Sequence, residues 1–189
     1  MLEVICGPMF SGKTAKLLRR VSEAEAAGER VAVVRPSVDT RHAGRVVSHD
    51  GASHLALDVA GAEELRRAVG DATVVAADEA QMFGEEAATV LLELAARSVR
   101  VLVAGLDLDF RGRPFGPMPL LLAAADRVDE LRTTCARCGA EATMTQRLRD
   151  GRPAPLDDET VVIGGADLYE PRCARCYAEE RAGSVRPPA

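Results

Sequence analysis

The chain of 189 residues is long enough to bury a full core and short enough to expect one main domain with at most a small appendage. Its net charge of −5 excludes a protein built chiefly to grip nucleic acid by charge, and leaves room only for a local basic groove. No apolar run approaches the roughly 20 residues of a membrane span, and the chain opens directly on a strand-like segment, so neither a membrane anchor nor a leader peptide is expected and a cytoplasmic protein follows.

The opening run LEVIC (2–6) reads as a short buried strand whose last residue, Cys6, belongs to the core. It runs straight into GPMFSGKT (7–14), which has the G-x-x-x-x-G-K-[ST] spacing of a phosphate-binding loop. In such a loop backbone N–H groups and a helix N-terminus surround phosphates, Lys13 neutralises their charge and Thr14 offers a hydroxyl to Mg²⁺. The chain carries 22 Arg and only two Lys, Lys13 and Lys16, so a lysine at this position stands out against the composition. From that composition the whole pattern arises by chance on the order of once in a thousand chains. The alternative is a plain glycine turn between strand and helix.

A helix is expected from Lys13 to about Ala27, ended near Gly28, and a second strand over RVAVVRP, stopped at Pro36. The stretch SVDTRHAGRVVSHDGASH (37–54) is polar and glycine-containing and reads as a mobile loop. AGAEELRRAVGDA reads as a helix, TVVAADEA as a strand with acids at its carboxyl end, and GEEAATVLLELAARS as an amphipathic helix. VRVLVAGLD is a further buried strand, and PLLLAAADRVDEL a helix leading into a last core strand. Strands and helices alternate and several strands are apolar throughout, the pattern of a mainly parallel sheet covered on both faces in an α/β fold.

The strand ending VVAADEAQMF places Asp78 where a Walker B carboxylate binds Mg²⁺, with Glu79 beside it as a carboxylate able to take a proton from an attacking hydroxyl or water. The alternative is a solvated acidic pair at a strand end. GLDLDFRGRPFG (105–116) carries Phe110 and Phe115 in a Gly/Pro-rich loop at the carboxyl end of a parallel strand, a place for stacking on a flat ligand or for anchoring the loop to the core. Arg111 and Arg113 of that loop meet phosphates or stay solvated.

From Thr133 the texture changes to paired cysteines, short β-like pieces (EATMTQRL, TVVIGG) and a Pro/Asp-rich connector, which predicts a second small domain over 133–180 after a main domain of 1–132. The remainder, 181–189, reads as a disordered tail. Cys135 and Cys138 form one CxxC pair and Cys173 and Cys176 another, with 34 residues between the pairs. In a cytoplasmic chain with no His near either pair, four thiolates suit a closed structural Zn²⁺ site, and a redox pair is the alternative.

Taken in order, GPMFSGKT, DTR (39–41), DEAQMF, GLDLDFRGRPFG, both CxxC pairs and VVIGGADLY resemble the thymidine kinases of the cytosolic, zinc-containing type across nearly the whole chain. The resemblance implies a RecA-like P-loop domain with a small zinc domain, a lasso closing over the deoxynucleoside, and a homotetramer. It implies transfer of the γ-phosphate of ATP to the 5′-hydroxyl of thymidine, and of deoxyuridine, in nucleotide salvage. Glu79 is then the general base. Gly7, Pro8, Met9, Phe10, Ser11, Gly12, Lys13, Thr14, Asp39, Arg41, Asp78, Ala80 and Gln81 would hold ATP and Mg²⁺. Met9, Met82, Leu106, Phe110, Thr145, Val162, Ile163, Gly164, Gly165 and Tyr169 would surround the nucleoside, with Phe10 more a packing residue than a contact. Two positions depart from the family pattern: Met82 stands where an aromatic is frequent, and Ala80 where a Gly is common. The rival readings are a P-loop ATPase whose zinc lobe binds nucleic acid or protein, and a zinc-ribbon binding protein with a vestigial loop.

Overall fold

A computed structural model describes residues 1–184 of the chain. Strand β1 (Leu2–Cys6) is followed by helix α1 (Lys13–Ala26), strand β2 (Val31–Pro36), two short strands β3 (Arg45–Val47) and β4 (Ser53–Leu55), and strand β5 (Leu57–Val59). Helix α2 (Ala62–Val69) leads to β6 (Val74–Ala77), a 3-10 turn over Ala80–Met82, α3 (Glu85–Ala96), β7 (Arg100–Ala104), α4 (Met118–Ala124) and β8 (Arg127–Glu130). Beyond these come β9 (Thr133–Thr134), β10 (Glu141–Ala142), β11 (Met144–Arg149), β12 (Arg152–Pro153), β13 (Tyr169–Arg172) and α5 (Ala174–Ser184).

Six strands form one parallel sheet in the order β5-β2-β6-β7-β1-β8. Side chains alternate between its faces, as the two-residue period requires. Leu2, Val4 and Cys6 of β1, Val75 and Ala77 of β6, and Val101 and Val103 of β7 pack with α2, α3 and α4. Ile5, Val74, Ala76, Leu102 and Ala104 pack instead against Leu17, Leu18 and Val21 of α1. Both faces are therefore covered, which is why β6 is apolar throughout and β1 and β7 are apolar but for Glu3 and Arg100. Each fully buried leucine, such as Leu17, Leu65, Leu91 or Leu102, contributes about 2 kcal/mol of apolar burial.

Because β7 lies between β1 and β6, the loop after β1 and the acids after β6 emerge at the same sheet edge two strands apart, about 10 Å at ordinary strand spacing. This leaves a crevice outside the carboxyl ends of the strands. From Thr133 the chain forms an antiparallel β9–β10 hairpin and a three-stranded antiparallel sheet, β12-β11-β13, with α5 packed beside it. Among the described residues no helix is long and apolar enough to cross a membrane.

Four sequence expectations need correction or restating. The polar stretch 37–54 contains an antiparallel hairpin, β3 with β4, and β5 directly after it adds an edge strand to the main sheet. Buried Arg35 organises this region: it pairs with Asp58 at 3.1 Å and Asp39 at 3.3 Å, and donates to the backbone carbonyls of Asp39, His42 and Arg45. The last strand, β8, is an edge strand and not a core one, with Val128 46% exposed. TVVIGG forms no strand; its backbone runs past the main cavity and the Val162 carbonyl accepts the Tyr169 hydroxyl at 2.7 Å. Helix α5 extends to Ser184, past the start of the expected tail at 181, and the rest of that tail, 185–189, lies outside the described residues.

Candidate active site

The phosphate loop owes its path to its glycines. Gly7 leaves β1 with φ 134°, and a Cβ there would lie 2.2 Å from the Leu131 carbonyl oxygen beyond β8. Only a residue without a side chain passes at that point. Gly12 stands ahead of α1 in the left-handed region, φ 84°, with open space where a side chain would point. Phe10 adopts φ 64°, a conformation that costs a bulky residue about 1–3 kcal/mol, and its ring meets the His49 ring with centroids 4.9 Å apart. Lys13 Nζ and Ser11 Oγ both donate to the Pro8 carbonyl, at 2.7 and 2.8 Å, so the lysine lies folded across its own loop. Burial lowers the Lys13 pKa, and the nearby carboxylates of Glu79, Asp78 and Asp107 oppose that shift.

Asp78 closes β6. Its carboxylate accepts the Thr14 hydroxyl at 3.1 and 3.3 Å. Burial first, and the charge of Glu79 second, push its pKa up to about 7. Oxygens bound to one octahedral Mg²⁺ stand about 2.9 Å apart, so the Thr14–Asp78 pair fits two neighbouring positions on such an ion. Glu79 is a non-glycine residue in the left-handed region, φ 51° and ψ 41°, and this turns its side chain back toward the crevice that Asp78 also borders. Its Oε1 accepts Arg41 at 2.5 Å and its Oε2 accepts the Gln81 amide at 2.6 Å. Gln81 in turn accepts the Leu106 N–H at 2.9 Å, tying the 3-10 turn to the end of β7. Arg41 grips Asp39 through Nε and Nη2, both at 2.8 Å. Burial works to raise the Asp39 pKa, but this fork outweighs it and holds the carboxyl below its ordinary range.

These groups open on a cavity of about 370 Å³. Its wall contains Met9, Phe10, Gly12, Lys13, Thr14, Arg41, Asp78, Glu79, Gln81, Met82, Leu106, Phe110, Thr145, Val162, Ile163, Gly164 and Tyr169. The expected residues therefore converge from the P-loop domain and from β11 and its following chain. The Thr145 hydroxyl accepts the Met9 N–H at 3.0 Å, which joins β11 directly to the phosphate loop. Burial raises the pKa of the Tyr169 hydroxyl. Asp39 and Gly165 border an adjoining space of about 400 Å³ shared with Arg41, Asp78 and Glu79. Other expected residues do not reach the main cavity. Gly7 and Pro8 are buried beneath the loop, Ser11 turns to the Pro8 carbonyl, and Ala80 packs fully buried in the core.

Ser48, His49 and Asp50 from the β3–β4 hairpin also line the cavity, as do Ala15, Gly105, Phe115 and Val161, none of them assigned to the site from the sequence. A signal for the hairpin was present: Asp50-Gly51, with Gly51 at φ 91°, is a turn pair between two short β-like runs. For Phe115 the wall position joins the anchoring alternative to the ligand-facing one, while Phe110 is 3% exposed and has the Arg111 and Arg147 guanidinium carbons over its ring at 4.6 and 4.3 Å.

Away from this cavity, the sulfurs of Cys135, Cys138, Cys173 and Cys176 lie within 4.8 Å of one another, and Cys138 Sγ stands 3.7 Å from Cys173 Sγ. Two thiolates on one tetrahedral Zn²⁺ stand about 3.8 Å apart, so the spacing fits. Burial works to raise the Cys135 pKa, but backbone N–H groups of Cys173, Cys138 and Arg137 outweigh it and hold the thiol at about 6. The Cys176 N–H points at Cys173 Sγ at 3.4 Å. The chain leaves this cluster after Cys138, forms β10 to β13 and returns at Cys173, so the long gap between the pairs is the connection that also lines the active cavity.

The family model described as "Thymidine kinase" matches residues 1–177. This chain belongs to the thymidine kinase family. It is 47% identical over 180 residues to the thymidine kinase of Chloroflexus aurantiacus (strain J-10-fl), covering 93% of each chain. It is 50% identical over 173 residues to that of Coprothermobacter proteolyticus, covering 91% of this chain and 87% of that one. Thymidine kinase membership makes the chain an ATP-dependent phosphotransferase that works with a divalent metal, and the α/β architecture with its parallel sheet and four-cysteine cluster agrees with it.

Proposed function

We propose that this chain transfers the γ-phosphate of ATP to the 5′-hydroxyl of thymidine, with deoxyuridine as a second acceptor, and that the residues of the main cavity divide this work as follows. One observation carries the division: a phosphate-type loop, a metal-type carboxylate and a second carboxylate oriented by Arg41 and Gln81 open on one cavity that Met9, Met82, Leu106, Phe110 and Tyr169 also line.

The backbone of residues 9–14 and Lys13 cradle the triphosphate, and Lys13 exchanges the Pro8 carbonyl for phosphate oxygens. Thr14 and Asp78 would hold Mg²⁺, which when bound neutralises charge on the β- and γ-phosphates. Arg41, with Asp39 behind it, stands beside the transferring group. Glu79 takes the proton of the 5′-hydroxyl as its oxygen attacks the γ-phosphorus, and ADP leaves. Arg41 and Gln81 orient that carboxylate from either oxygen. Met9, Met82, Leu106, Phe110 and Thr145 receive the base, and Val162 to Gly165 with Tyr169 form the lasso over it. Met82 gives this wall a flexible thioether in place of a flat ring.

The chain is read as a P-loop domain over 1–132 and a zinc-bearing domain over 133–180, with structural Zn²⁺ on the four cysteines. A homotetramer in the cytoplasm, free of nucleic-acid and membrane partners, completes the reading. A P-loop ATPase with a binding lobe is not favoured, because relatives at 47–50% identity over nearly the whole chain carry the thymidine kinase name. The test is a nucleoside panel assayed for ATP consumption on protein of measured zinc content. Phosphate transfer that depends on thymidine is expected; ATP hydrolysis that proceeds equally without any nucleoside would sink the reading.

A further inference from the structure

Segment 156–160, which immediately precedes the cavity-lining residues Val161 to Gly164, has no strand ladder of its own. Two arginines hold it instead. Arg111 donates through Nε to the Leu156 carbonyl at 2.6 Å, through Nη1 to the Thr160 hydroxyl at 2.7 Å, and through Nη2 to the Asp158 carbonyl. Arg147 of β11 donates to the Glu159 carbonyl and, at 2.7 Å, to Asp158 Oδ2. The other Asp158 oxygen accepts Arg149 at 2.6 Å.

Both guanidinium groups also lie over the Phe110 ring, which lines the cavity. That ring is fixed from behind, where its backbone carbonyl accepts the Tyr177 hydroxyl at 2.8 Å and the Arg181 guanidinium. The wall of the base pocket and the root of the lasso thus share one pair of cations. The pair is enclosed: side-chain exposures are 5% for Arg147, 11% for Asp158 and 12% for Arg111.

We propose that Arg111 and Arg147, locked through Asp158 and stacked on Phe110, are positioning residues that hold the lasso root ordered, so that nucleoside binding costs less ordering. The proposal rests on the reading that Val162 to Gly165 close over the nucleoside. Neither arginine touches the reacting atoms. Their effect falls on acceptor affinity, because pre-ordering a wall segment lowers the entropy lost on binding and leaves the donor site untouched. Arg is needed here and Lys is not equivalent, since only a planar fork can reach carbonyls at 156 and 158 while stacking on a ring.

The experiment uses full-length zinc-loaded enzyme, wild type, Asp158→Asn and Arg111→Lys. It records KM for thymidine, KM for ATP and kcat, together with cleavage at Glu159 by a glutamate-directed protease with and without thymidine. The expected result is a thymidine KM raised about tenfold in both variants with ATP KM within about twofold of wild type. Faster cleavage at Glu159 without thymidine, and protection restored only at higher thymidine concentration, should accompany it. Unchanged thymidine KM in both variants, while thymidine still slows their cleavage at Glu159, overturns the clamp alone. Equal losses in thymidine and ATP affinity also overturn it, since they mark a purely structural role. Variants whose cleavage at Glu159 thymidine slows at no concentration overturn the closure reading beneath it.

Discussion

Glu79 shows how one backbone conformation makes a catalytic candidate out of an ordinary acid. Next to Asp78 on a regular strand it would point to the opposite face; at φ 51° it borders the same cavity and is held there by Arg41 and Gln81. Glu79→Gln keeps the size and the hydrogen-bonding shape but cannot accept the proton. ATP affinity should stay near wild type in a direct binding titration, while thymidine phosphorylation falls on the order of 10²–10⁴-fold. Cys6 makes the opposite case, a reactive residue type that the fold makes inert. Burial, then the carboxylates of Asp107 and Glu130, push its thiol up to about 11. At pH 8 its thiolate fraction is then on the order of one in a thousand, so iodoacetamide and mass mapping of the folded, zinc-loaded protein should find Cys6 unmodified. Raising the pH toward 11 increases the thiolate, and so any labelling should rise with it.

At the scale of elements, the cysteine cluster and the main cavity are two ends of one excursion. Between Cys138 and Cys173 run β11, whose Thr145 accepts the Met9 N–H, and the segment that lines the cavity. The lobe has little apolar material around its cysteines: among the described residues that cluster holds Ala142 with Cys135, Cys173 and Cys176. A metal held by four thiolates would supply what that core lacks. Stripping it with a strong chelator should release one zinc per chain, expose the four thiols to a colorimetric reagent and abolish thymidine binding. Circular dichroism should retain most of the helical signal of the P-loop domain, because the sheet and its helices do not depend on the lobe.

Across the whole molecule, the sheet carries a buried ionic knot on its α1 face. Glu3 of β1, 2% exposed, accepts Arg20 of α1 at 2.5 Å and Arg100 of β7 at 2.7 Å; Arg20 also reaches Asp129 of β8, which Lys16 meets at 2.9 Å. Three strands, β1, β7 and β8, and helix α1 are tied together by these groups. Glu3→Ala leaves Arg20 buried with one partner fewer. Urea unfolding should show a loss of about 3 kcal/mol, the low end for a broken buried pair because Asp129 still holds Arg20. An unchanged midpoint would mean that the network is energetically idle.

Much of this molecule was legible from the chain alone because its signals are local. The strand–loop–helix around Lys13, the apolar strands β6 and β7, the acids at 78–79 and the paired cysteines each lie within a dozen residues, where period and spacing act directly. Order among the motifs was enough to carry the resemblance to a family. The tertiary structure decided what depends on residues far apart in the chain. It ordered the polar stretch 37–54 through Arg35, brought His49 onto Phe10, and made β8 an edge. It also stapled segment 156–160 to Arg111 and Arg147, across 45 to 49 positions in the case of Arg111. A guanidinium finds its carbonyls only after the sheet has fixed where both are, and no periodicity announces that in advance. GPMFSGKT carried the spacing of a phosphate-binding loop by itself; that its Met9 would also be tied to the four-cysteine lobe through Thr145 was settled by the fold.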